Sequence, residues 1–156
     1  MKRLFVIGSL FLIILTAKAQ DPLFLEGDKR LNLGIGLSKY PVASVSLDYG
    51  VVDGIAEKGA IGIGAYAGFG ANADYAFSSL GVRGTFHYPV VDDLDTYIGV
   101  AVGMRYDASS YYSNEFNGIP GFFVGANYPI GRNILLFGEA GSGLSYLTGG
   151  ISLIID

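Results

Sequence analysis

Few residues in this chain have the chemistry for catalysis. A single histidine, His87, stands beside Tyr88 and Pro89, and there is no cysteine. One imidazole cannot build a histidine metal cluster, and without thiols there is neither a disulfide nor a thiolate site. No cofactor or metal is expected. Hydrolysis needs a nucleophile, a base and an orienting group in mutual reach, yet no serine lies two residues beyond His87. The run Gly62-x-Gly64-x-x-Ala67 mimics a dinucleotide fingerprint, but it sits inside an alternating segment with no helix after it. No enzymatic activity is expected. The remaining chemistry is ionic: Arg83, Glu139, Arg105, Asp107 and Asp48 interrupt apolar and glycine-rich runs. Whether they meet depends on the elements that carry them.

Those elements read as strands. Glycine fills 24 of 156 positions, about twice its usual ~7% share, and glycine weakens helices. Alternation with period two predicts eight strands, over residues 30–38, 42–51, 60–70, 79–88, 95–107, 121–128, 133–141 and 145–155. One face of each is apolar and the other small or polar. The fifth sets Ile98, Val100, Val102, Met104 and Tyr106 against Tyr97, Gly99, Ala101, Gly103, Arg105 and Asp107. The second places Val45, Leu47, Tyr49 and Val51 opposite Ser44, Ser46 and Asp48. In the seventh, turning Glu139 inward takes Leu135 and Phe137 with it, which implies a bulge or a mixed interior. In the eighth, Tyr146 and Thr148 share the inner parity. Tyr49, Tyr88 and Tyr128 recur at nearly constant spacing, each closing an even-numbered strand on its apolar side, as a repeated hairpin unit requires.

The chain begins Met1-Lys2-Arg3, continues uncharged from Leu4 to Leu15, and reaches Thr16-Ala17-Lys18-Ala19-Gln20. A basic start, a short apolar stretch and a small-x-small site make a cleavable export signal, too short to span a bilayer. The expected organisation is a signal peptide at 1–19, a polar periplasmic lead-in at 20–29, and one barrel domain at 30–156. Beyond Ala19 stand seven basic residues against fourteen acids, which argues against nucleic acid as a partner.

Apolar faces turned to lipid, small faces turned inward and an even strand number predict an all-β fold, an eight-stranded antiparallel up-and-down transmembrane β-barrel. Tyr49, Tyr88 and Tyr128 would then form a lipid-interface girdle. An arginine facing lipid at mid-depth costs roughly 2–4 kcal/mol, so Arg83 belongs inside, paired with Glu139, with Arg105, Asp107 and Asp48 in the same interior. That pair is either a gate or part of a packed polar plug. Both termini are expected in the periplasm, with the longer turns, above all residues 108–118, outside and available to a surface ligand.

With its signal, strand count, Tyr-ended hairpins and closing run Leu147-Thr148-Gly149-Gly150-Ile151-Ser152-Leu153-Ile154-Ile155, the chain resembles the small eight-stranded outer-membrane barrels of Gram-negative bacteria, the OmpA/OmpX/OmpW-like superfamily. The resemblance spans everything after the signal. It implies an outer-membrane protein, inserted with help from the barrel-assembly machinery, surrounded by outer-membrane lipid and monomeric. The roles it implies are structural or surface-interacting, or alternatively those of a narrow conduit for small or apolar molecules.

Overall fold

Strong alternation of side chains leaves a sheet with one apolar face, and in lipid such a sheet must close to satisfy its edges. The computed structural model describes residues 23–91, 93–109 and 115–155; the signal peptide expected at 1–19 lies outside them. Eight strands follow in order: β1 Lys29–Leu37, β2 Pro41–Ile55, β3 Gly59–Ala71, β4 Tyr75–Val91, β5 Leu94–Ser109, β6 Glu115–Pro129, β7 Ile134–Gly141 and β8 Leu147–Ile155. Each pairs antiparallel with its neighbours, and β8 returns to β1, closing the barrel. The expected fold class is the observed one.

The inside and outside assignments hold along most of every strand. Leu33, Ile35, Leu80, Val82, Val100, Val102 and Met104 are exposed on the outer surface, while Arg30, Asn32, Ser46, Asp48, Arg83, Thr85 and Asn127 are buried in the lumen. On β5 the apolar row from Ile98 to Tyr106 rises roughly 20 Å along the axis, at ~3.4 Å per residue and ~40° tilt. That nearly matches the ~25 Å apolar band of outer-membrane barrels. β7 has a mixed interior without a bulge: Leu135 and Phe137 are buried inside with Glu139, and its ladders run in continuous register.

The glycines explain how so narrow a lumen holds large rings. A Cβ on Gly99 would stand 2.2 Å from the Phe123 ring, one on Gly125 2.4 Å from Tyr97, and one on Gly34 2.7 Å from Phe137. On Gly103 it would meet the Tyr66 hydroxyl at 2.3 Å. Each inward aromatic therefore lies over a position where only glycine leaves room.

Several expectations need correction. The strands β2 to β6 are longer than the alternation suggested, because small and polar residues continue the ladder beyond the apolar run: β4 starts at Tyr75 and β6 at Glu115, whereas β7 and β8 are shorter than expected. Of the surface loop expected at 108–118, residues 110–114 lie outside the described residues, while the rest is strand, with Glu115 to Gly118 paired to β5 in register. A bulge between Gly50 and Val52 shifts the parity of β2, so Val52 rather than Val51 takes the exposed place. Tyr146, expected inside, precedes β8 and is 71% exposed, because its N–H is drawn to the Leu37 carbonyl in the β7–β8 turn. β1 begins at Lys29, and the lead-in before it is not a solvated tail. Phe24 is 1% exposed, tucked into the mouth of the barrel.

Candidate functional site

The lumen holds three polar tiers, ordered from the end where β1 begins and β8 ends toward the distal end. In the first, Arg30 of β1 pairs with Asp95 of β5 through Nη1 and donates to the Leu23 carbonyl through Nη2. His87 of β4 lies 3.0 Å from Asp95 through Nδ1, and its Nε2 is 3.1 Å from the Thr85 hydroxyl. Asp95 only accepts, which places the proton on Nδ1. Asn127 completes the shell, donating to Asp95 at 3.0 Å. Phe24 covers this tier, stacked on His87 with 4.1 Å between centroids and beneath the Arg30 guanidinium at 4.7 Å. The backbone ahead of β1 is docked as well: Gly27 N–H donates to the Gly50 carbonyl, and Gly50 N–H to that of Asp28. A Cβ on Gly50 would stand 1.9 Å from the Leu25 carbonyl oxygen, so the lead-in can cross β2 only at a glycine.

The middle tier joins opposite walls. Arg83 on β4 donates to Glu139 on β7 at 2.5 Å and to the Ser46 hydroxyl at 3.3 Å. Its Nε lies 3.0 Å from Asp48, off the hydrogen-bond angle, so that contact is coulombic. Tyr97 donates to the same Glu139 oxygen at 2.9 Å, and Asn32 donates to Asp48 and Ser46. The guanidinium also rests on the Phe123 ring, 4.3 Å from its centroid.

In the distal tier Arg105 donates to Asp107 at 2.8 Å and to the Tyr75 hydroxyl at 2.6 Å, while Tyr75 donates to Asp107. Arg105 stacks on Phe77 at 3.8 Å. Of the five ionic residues singled out in the sequence, Arg83, Glu139 and Asp48 therefore form one cluster, and Arg105 with Asp107 a separate one. Both clusters face the lumen. Arg30 and Asp95 escaped notice because each stands at the edge of a strand; the signal was their shared inward parity with Asn32 and Tyr97.

His87 has more company than its neighbours in sequence suggested. Thr85, two residues before it on the same face, supplies a hydroxyl, and Asp95 a carboxylate. All three are buried beneath Phe24, with the carboxylate tied up by Arg30 and Asn127. The arrangement satisfies a buried imidazole. The tyrosines Tyr49 and Tyr128 are exposed on the outer surface and Tyr88 half-exposed there, all three near the end where β1 begins and β8 ends.

A closed eight-stranded barrel, apolar outside and polar inside, defines a small outer-membrane β-barrel. The profile of the autotransporter β-domain family matches residues 22–150, and the chain belongs to that family. Its fold is similar to the N-terminal β-barrel domain of Pseudomonas aeruginosa OprF, with a TM-score of 0.67 at 11% identity, over 83% of this chain and 98% of that one. It is also similar to a barrel from the de novo design of transmembrane β-barrels, with a TM-score of 0.60 at 19% identity, over 88% of this chain and all of the designed one. No curated protein matches the chain in sequence.

Proposed function

We propose that this chain is an integral outer-membrane barrel of the OmpA/OmpX/OmpW-like kind, with a structural or surface-interaction role, no enzymatic activity and no conducting pore. One observation carries the reading: the lumen is crossed by three side-chain tiers, the middle one tying β4 to β7 through Arg83 and Glu139. Eight strands enclose a space that side chains just fill. In this reading the signal at 1–19 is cleaved after Ala19, the girdle of Tyr49, Tyr88 and Tyr128 sits at one lipid interface, and the barrel works as a monomer. Nothing in the tiers offers a substrate an exposed nucleophile.

Conductance of the purified barrel in planar bilayers tests it. Silent membranes at all voltages are expected. A second reading, a narrow conduit, draws on the cavity bounded by Arg83, Glu139 and Leu144; discrete channel openings in the wild-type barrel would establish that reading and refute the first.

A further inference from the structure

Between the middle tier and the β7–β8 turn lies a cavity of about 50 Å³, bordered by Asn32, Ser44, Ser46, Arg83, Glu139 and Thr148. It holds a few water-sized species. Leu144 closes it toward the distal end, seated where a Cβ on Gly68 would come within 2.3 Å of the leucine side chain.

Two independent features give this space a chemical preference. The first is charge. Asp48 and Glu139 share one guanidinium, that of Arg83, so with both carboxylates ionised the tier carries one negative charge in excess. A buried charge without a counter-charge is disfavoured. Arg83 has little left to give, being committed to both carboxylates, to Ser46 and to the Phe123 face.

The second is an orphaned acceptor. Asn32 is 5% exposed and its Oδ1 has no hydrogen-bond partner. Its Nδ2 donates to Asp48 at 2.8 Å. Because a carboxylate only accepts, the amide cannot be turned around, and the unpaired atom is the carbonyl oxygen. Glu139 adds a second free acceptor, since Arg83 and Tyr97 both bind its Oε1 and leave Oε2.

An excess negative charge beside spare carboxylate, amide and hydroxyl oxygens is the environment of a hard cation. We propose that the cavity binds one small monovalent cation, sodium, potassium or ammonium, held by Glu139 and Asn32 with support from the hydroxyls of Ser44, Ser46 and Thr148. A single charge closes the balance. A divalent ion would overshoot it, and no group of three acidic, histidine or cysteine ligands exists among the described residues.

Thermal unfolding of the refolded barrel in detergent provides the test, at constant ionic strength in sodium, potassium, ammonium or tetramethylammonium chloride. Tetramethylammonium is too wide for the cavity and has no N–H to donate. A ligand that binds only the folded state raises the unfolding temperature saturably. The wild-type barrel should therefore melt a few degrees higher in at least one small cation than in tetramethylammonium, and Glu139→Gln should lose that difference. Sodium NMR of the wild-type barrel should show line broadening with folded protein that disappears in urea, which keeps the test independent of how the variant folds. Equal melting in all four salts without line broadening would overturn the proposal. So would an unchanged cation effect in Glu139→Gln, since the ion would then sit elsewhere.

Discussion

Replacing Arg83 by methionine should cost the barrel more than any other single change within the middle tier. The side chain is buried, and its removal leaves Asp48 and Glu139 facing one another without their shared guanidinium. Breaking a buried ion pair from one side costs about 3–5 kcal/mol. Glu139→Gln is milder, because the amide oxygen still accepts from Tyr97 and Arg83 keeps Asp48; losing one charge-assisted hydrogen bond costs about 1.5–3 kcal/mol. In the double variant Arg83→Met with Glu139→Gln, only Asp48 remains unpaired. Its cost should fall short of the sum of the singles by about 0.5–3 kcal/mol, the range for residues in direct contact. Adding Asp48→Asn should recover more stability, since the last stranded charge disappears. Urea unfolding in lipid vesicles, extrapolated linearly to zero denaturant, measures each term. Strictly additive losses would show that the guanidinium and the carboxylate do not interact, and the middle tier would lose its electrostatic explanation.

Val100→Arg, on the lipid-facing side of β5, should lose about 2–4 kcal/mol of folding stability in vesicles, whereas Ala101→Ser one residue on should fold at wild-type yield; equal yields would invert the assignment of faces. Phe24→Ala empties a fully buried site and should cost about 3–5 kcal/mol by denaturant titration. Gly50→Ala should expel the same segment by clashing with the Leu25 carbonyl, so its cost and that of Phe24→Ala should not add; additivity would mean the lead-in is not docked as described. Gly99→Ala should disturb the Phe123 ring beneath it, visible as a loss of near-ultraviolet circular dichroism at unchanged strand content.

Much of the barrel was legible because period two is a strong signal wherever one face meets lipid. Leu80, Val82, Val100 and Val102 declared their side by chemistry alone, and Arg83 declared the opposite side by the cost of the alternative. The seventh strand was readable only as a choice, because Leu135 and Phe137 are apolar residues on the inner face; the glycine that leaves room for the Phe137 ring, Gly34, comes from β1, a strand distant in sequence. Strand ends were the least legible. The distal halves of β4 and β6 carry Tyr75, Ala76, Ser78, Asn117 and Gly118, residues that suit a turn as well as a ladder, and pairing to β5 decides between them. Phe24 could not be read at all, since neither the depth of the mouth nor the gap above His87 leaves a trace in the local sequence. The ionic residues showed their face but not their partners, because partnership depends on the stagger of the strands.

β7 is the shortest strand, eight residues, and the wall on either side of it is correspondingly low. Lateral breathing of a barrel starts where the ladder is shortest, so β7 is the stave most easily lifted out. It also carries Glu139, whose bond to Arg83 crosses the interior to β4, three strands away around the ring. The ion pair thus acts as a tie rod across the hoop. Parting β7 from its neighbours would bare a guanidinium and two carboxylates to the acyl chains, so the bilayer itself penalises the rupture, and the thinnest wall is braced from across the barrel.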